Sequence, residues 1–339
     1  MKKMWLGWVF TLILVLLVGC SSSSSSTSEN TSSDKPIVIK FSHVTSPDSP
    51  KGKAAELFKK LAEERTDGRV KVEVYPSSQL FDDDKALQEL PRNTVQIIAP
   101  SATKLVSYDP AFQIVDLPFL FTSDEAVYKF FDGEGGQKLS KKLEKHNIKV
   151  LGMWANGAKH FTNAKRPLKT PEDFKGLKFR TQTGKVLEKQ FEVLGASAVP
   201  MAFADVYVAL QQGTIDGQEN TFNNIDTQSY AEVQKYLTVS GHGRLDYPVL
   251  TNAKFWNELP EDIRTTLEEV FEEVTVQQRK WSEELNQQSY ENLKESGLEV
   301  YELTEEEIKQ FQEAMQPVYD EFSDTIGKDL IELAKKLNE

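Results

Sequence analysis

Cysteine is almost missing from this sequence: Cys20 is the single example in 339 residues. Without a second thiol there is no disulfide framework and no cysteine-based zinc site. Histidine is scarce too, at 4 residues, and none falls in an H-E-x-x-H arrangement. The glycines build no dinucleotide fingerprint and no phosphate-cradling loop, and no G-x-S-x-G elbow is present. These gaps speak against the common metallohydrolase, serine hydrolase and nicotinamide-dependent enzymes. Basic residues are outnumbered, 40 Lys and Arg against 52 Asp and Glu, for a net charge of −12. An acidic chain is a poor partner for nucleic acid, and any site for an anion must draw on a local concentration of positive charge. Long hydrophobic runs are lacking as well. The most apolar stretch, Trp5 to Val18, falls short of the roughly 20 residues that a membrane span needs.

What stands at the N-terminus instead is ordered like a secretory leader. Lys2 and Lys3 precede the apolar run, which ends in Leu-Val-Gly and then Cys20. Small residues before a lone cysteine read as a lipobox, so residues 1–19 are expected to be a lipoprotein signal and Cys20 its lipidation site. A diacylglyceryl group there, with a second fatty chain on the new amino terminus, would give stable membrane anchoring. Residues 20–35 are rich in serine and nearly without apolar side chains, too few to bury the surface that folding needs, and are expected to form a tether reaching on the order of 20 Å. The folded part is then 36–339, a size that suggests two lobes.

Short apolar runs alternate with amphipathic helical patterns along this part, which predicts an α/β fold. The alternation Pro36–Val44 predicts a strand, Ala54–Thr66 a helix and Arg69–Tyr75 a second strand, together a parallel β-α-β unit. Asp82 to Asp84 precede the helical pattern KALQEL, where three acids complement a helix dipole better than they make a metal site. The segment Asp116–Phe121 is apolar packing, helices are predicted at 123–131 and 136–146, and a strand at Ile148–Trp154. In Gly176–Asn220 the run LKF ends at Arg180, placing a guanidinium at a strand's carboxyl edge, where open α/β sheets bind ligands. A planar fork of donors there suits a carboxylate. Helices follow at 185–194 and 203–212, each stopped by a glycine, Gly195 and Gly213. The sequence TIDGQEN then returns Asn220 to the same edge as a neutral donor and acceptor. Strands are predicted at Tyr236–Val239, Tyr247–Thr251 and Leu298–Leu303. From Pro260 to about Ser296 a buried stripe that includes Ile263, Leu267, Val270, Val274 and Leu293 predicts one long helix. Thr304 caps a further helix and another starts near Gly327.

The order GLKFR, LGASAVPMAFADVYVALQQG, IDGQEN resembles the solute-binding proteins of tripartite ATP-independent periplasmic (TRAP) transporters, the DctP family. The opening, with its strand near F-S-H, its K-G helix and its V-E-V-Y-P strand followed by S-Q-L, is similar to the same family. The resemblance implies a two-lobed, type II-like periplasmic binding fold in which the long helix spans both lobes. Lobe 1 would take about 36–153 with part of 240–260, and lobe 2 about 154–240 with the C-terminal segments. It also implies a receptor for a C4-dicarboxylate such as succinate, malate or fumarate, with Arg180 gripping one carboxylate and no cofactor. The NG-x-K at Lys159 resembles the dicarboxylate binders, so Lys159, just after the strand ending at Trp154, is assigned to the second carboxylate. Asn220 and Asn224 would hold the remaining oxygens, although Thr221 stands where the family usually has proline. His43, Gln79 and Ser101, at strand ends, would face the same crevice; Arg166 reads as structural, and Trp154 as either pocket lining or core. The implied partners are the large and small permease subunits. Binding of a sugar acid or 2-oxo acid, or service to a sensor kinase, are the competing readings.

Overall fold

The computed structural model describes residues 35–338. Cys20, its leader and most of the serine-rich tether lie outside them. The two alternating segments form the strands Ile37–Ser42 (β1) and Val70–Tyr75 (β2), joined by the helix Pro50–Arg65 and paired in parallel, Ile37 opposite Val70. The helix begins a turn earlier than predicted, because Ser49 accepts a hydrogen bond from the Gly52 N–H and Pro50 supplies a preset first residue. The remaining strands are Ile97–Ile98 (β3), Ile148–Asn163 (β4), Lys178–Thr181 (β5), Ser197–Pro200 (β6), Gly217–Asn220 (β7), Tyr236–Asn252 (β8) and Glu299–Glu302 (β9). They make one sheet in the order β2-β1-β3-β8-β4-β7-β5-β6, with β9 also paired to β8.

Two long strands carry everything else. β4 and β8, of 16 and 17 residues, run antiparallel along most of their length. β3 joins the far end of β8 at Leu250 and Thr251, while β7 joins the far end of β4 between His160 and Asn163. This corrects the expectation of separate strands at 148–154, 236–239 and 247–251. The glycine-bearing and polar residues between those segments break the apolar alternation but stay in the ladder, through register shifts at Val150/Gly152, Ala155/Gly157 and Lys159/Phe161. Gly157 supplies a left-handed φ of +111° at the second of these.

Helices cover both faces, and the apolar side chains collect in three clusters. One gathers Phe130, Phe161, Phe174, Phe179 and Phe191 with Phe311 and Leu330 of the C-terminal helices. A second holds Phe41, Phe58, Trp154 and Phe271, and a third Leu210, Ile225, Leu237 and Leu293. Trp154 is therefore core, its indole N–H donating to Thr275 Oγ1 at 3.1 Å. The predicted long helix is one unbroken element, Glu261–Glu295, 35 residues. Its first half buries Ile263, Leu267 and Val274 in the second cluster, and its last turns bury Leu293 in the third. Between them the stripe turns polar. Buried Gln278 accepts from Ala155 N–H at 2.8 Å and donates to Ala155 C=O at 2.6 Å, and Asn286 donates to Asn156 C=O at 2.7 Å. The helix thus supplies the partners that the bulged strand cannot find in its own ladder.

Candidate ligand-binding cleft

At the ends of β5 and β7, with Leu245 and Tyr247 of β8 also in the wall, polar side chains surround a void of about 460 Å³, counting space continuous with solvent. Arg180 lies near the carboxyl end of β5, next to its last residue Thr181, and only 3% of it is exposed. Its Nε and Nη2 both donate to the Met201 carbonyl, at 3.2 and 2.9 Å, which sets the plane of the guanidinium and uses a minority of its donors. Among the described residues no carboxylate forms an ion pair with it. Burial lowers its proton affinity, while Tyr230, Glu219, Asp83 and Asp84 in the vicinity act in the other direction. An arginine remains cationic under such conditions, so the cleft holds a desolvated positive charge with no counter-charge in contact.

Neutral donors stand beside it. Asn220 ends β7, and its Oδ1 accepts from Asn224 Nδ2 at 2.7 Å and from Thr221 N–H at 3.2 Å, which leaves its own NH₂ as the unengaged group. Thr221 does not disturb this turn. It caps the helix Phe222–Thr227 by accepting from Asn224 N–H, and it also accepts from Asn156 Nδ2 at 3.0 Å, so it fixes Asn224 where a proline would only preset φ. The Tyr247 hydroxyl accepts from Asn156 at 2.9 Å and from Asn224 at 3.4 Å, which frees its proton for a ligand. Burial holds that phenol well above its ordinary pKa, so it is a donor at any physiological pH. Ser101 lines the same void, its buried Oγ without a partner, and so do Gln182 and Lys104. Lys104 spans the cleft, its Nζ on Asp84 at 2.7 Å and on Thr183 Oγ1 at 3.3 Å.

Arg180, Asn220, Asn224 and Ser101 are thus brought together as expected, and three other expected residues are not. Lys159 is not on a turn after a strand but inside β4, 1% exposed, with its Nζ 2.7 Å from Glu219 and 3.9 Å from Asp116. It stands outside the cleft lining because β7, paired alongside, presents Glu219 to it. Its stem crosses Gly243 so closely that a Cβ there would meet Cε at 2.7 Å. Burial pushes the Glu219 carboxyl up, but Lys159 and His242 outweigh it and hold the group at about 2. His43 is buried behind the cleft wall, its Nδ1 3.3 Å from Thr45 Oγ1. Gln79 is exposed, since Ser77 and Ser78 both adopt left-handed φ and swing the chain outward before it. Arg166 is structural, donating to the carbonyls of Asp173 and Lys175. Asp82 caps the helix Asp83–Glu89, and no group of acids, His or Cys among the described residues is arranged for a metal.

Tyr247, Gln182 and Lys104 were not legible in the sequence. Tyr247 sits in an apolar run that reads as a core strand, and Lys104 and Gln182 sit in short segments of no clear period.

A buried guanidinium without a counter-charge, ringed by amide and hydroxyl donors in a cleft of an α/β fold, defines a receptor for a small organic anion. The chain belongs to the DctP family, bacterial extracellular solute-binding protein family 7, whose model matches residues 41–325. It is 45% identical over 325 residues to the C4-dicarboxylate-binding periplasmic protein DctP of Rhodobacter capsulatus, covering 95% of this chain and 97% of that one. A TRAP periplasmic solute binding protein from Shewanella oneidensis, solved with bound succinate, is similar with a TM-score of 0.88 and 42% identity, over 90% of this chain and 100% of that one. Another, from Pseudomonas aeruginosa with bound L-malate, gives 0.81 and 43%, over 84% and 99%. The fold is accordingly the two-lobed one. No helix among the described residues is long and apolar enough to cross a membrane.

Proposed function

We propose that this chain is an extracytoplasmic receptor that closes on a C4-dicarboxylate, such as succinate, malate or fumarate, and delivers it unchanged to a TRAP membrane permease. The observation that carries the reading is Arg180, a buried cation that among the described residues hydrogen-bonds to one carbonyl and is paired with no carboxylate. Moving a carboxylate out of water is costly unless charge and hydrogen bonds await it. Arg180 would meet one carboxylate with its unused N–H groups, while the Asn220 amide and the Tyr247 and Ser101 hydroxyls serve the remaining oxygens and Asn224 holds Asn220 and Tyr247 in place. The similarity to relatives that carry succinate and malate supports the ligand class. Closure of the lobes would exclude water and strengthen each contact. A lipid on Cys20 would hold the receptor at the outer face of the membrane.

Calorimetric titration of the purified chain with a panel of mono- and dicarboxylates tests the ligand class, with recovery of unaltered ligand afterwards. Succinate or malate should bind best; preference for a sugar acid or a 2-oxo acid would sink the assignment. Intact mass of the mature protein should show a lipid on Cys20, and an unmodified terminus would refute the anchor.

A further inference from the structure

Behind the cleft wall lies a second buried cation that the site as described does not use. Lys51 is 1% exposed, in the first turn of the helix Pro50–Arg65. Its Nζ donates to the Ala99 carbonyl at 2.9 Å and sits 3.4 Å from the centroid of the Tyr247 ring. Among the described residues no carboxylate forms an ion pair with it. A methionine could fill this space without desolvating a charge, and the first turn of a helix is the end at which a cation is disfavoured. The ammonium therefore stands against two local penalties, and the ring it touches is a cleft wall.

We propose that Lys51, acting through the face of Tyr247, supplies the positive charge that makes the cleft prefer a dianion over a monoanion. The inference rests on the dicarboxylate reading above. The cleft rim carries Asp82, Asp83 and Asp84, and Lys104, the lysine of the lining, is already engaged by Asp84. Arg180 can hold one carboxylate, so a second would face a wall of net negative charge without Lys51. The cation–π contact is maintained best by a charged ammonium and also orients the Tyr247 hydroxyl.

The groups facing Lys51 set its titration. His43, from the end of β1, is kept neutral, held near 3 by burial and then by Lys51 itself. Asp83 lies close enough to favour the charged form, and Tyr247 stays protonated. Burial, only partly offset by Asp83, lowers Lys51 to about 8. A dianion arriving on the other side of the ring would raise it again, so binding near pH 8 should draw in a proton.

The test compares succinate with butyrate by calorimetry on the wild-type chain, Lys51→Met and Arg180→Ala. In Lys51→Met, succinate affinity should fall roughly 30-fold, the effect of one unit charge at about 8 Å and an effective dielectric of about 20, and butyrate affinity by less than about threefold. Equal losses for both acids, or none for either, overturn the proposal. Proton linkage needs no variant: wild-type binding of succinate at pH 8, measured in buffers of different ionisation enthalpy, should show fractional proton uptake that butyrate lacks. Its absence likewise overturns the proposal. If the wild type binds neither acid, the dicarboxylate reading fails first and this inference with it; if it binds succinate and Lys51→Met changes nothing, only the inference falls.

Discussion

Gln278 offers the sharpest check of how the long helix and the bulged strand depend on each other. Its amide is fully buried and satisfies both the N–H and the C=O of Ala155, at 2.8 and 2.6 Å, where β4 shifts register against β8. Gln278→Met keeps the volume and deletes both partners. Each buried backbone group left unpaired costs about 1–3 kcal/mol, so the loss should be about 2–6 kcal/mol, nearer the low end if water reaches the bulge. Urea denaturation without ligand measures the total, and amide exchange across residues 150–160 localises it, since the Ala155 amide should lose protection disproportionately. Asn156, next along, donates to Thr221 and Tyr247, so ligand affinity should fall as well. A loss below about 0.5 kcal/mol with unchanged protection at Ala155 would refute the argument that the helix completes this strand's hydrogen bonding.

Other substitutions probe the cleft and its surroundings. Arg180→Ala should weaken succinate binding by more than about 100-fold, because an acid left without its charged partner loses about 3–5 kcal/mol; calorimetry that finds a tenfold effect or less would displace Arg180 from its role. Thr221→Pro is tolerated by the backbone at φ −75° but removes a cap and the N–H to Asn220, so it should cost about 1 kcal/mol of stability in a thermal melt and several-fold in affinity. Asp116 is held up at about 7 by burial, against Lys159 and Thr103. A carboxyl whose folded value is raised contributes stability that is present below its unfolded value, about 4, and lost as pH rises through 7. The wild-type melting temperature minus that of Asp116→Asn should therefore decline between pH 4 and 7, and a flat difference would contradict the environment assigned to Asp116.

The parts of the fold that could be read from the sequence are those that announce themselves locally. Pro260, Glu261 and Asp262 open the long helix, Gly297 closes it, and the apolar stripe between them has the right period. Arg180 was legible because a short apolar run leads straight into it and polar turn formers follow. What escaped was decided across the sheet. No local signal says that β4 continues through Asn156 and Gly157, because the residues that satisfy the bulge, Gln278 and Asn286, are more than a hundred positions away. Lys159 looked like a cation available to ligand for the same reason. Its counter-charge, Glu219, becomes its neighbour only when β7 lies down beside β4. Gln79 was misplaced by two serines in left-handed turns, a geometry that serine does not advertise.

Because the two halves are woven from the same pair of threads, neither can come apart by itself. An opening motion of the proposed receptor would have to twist β4 and β8 along the ladder they share, and the register shifts are where that ladder is already interrupted. Cargo captured at one rim should then stiffen the entire molecule, so a single melting transition, shifted upward as one by ligand, is the behaviour this weave imposes.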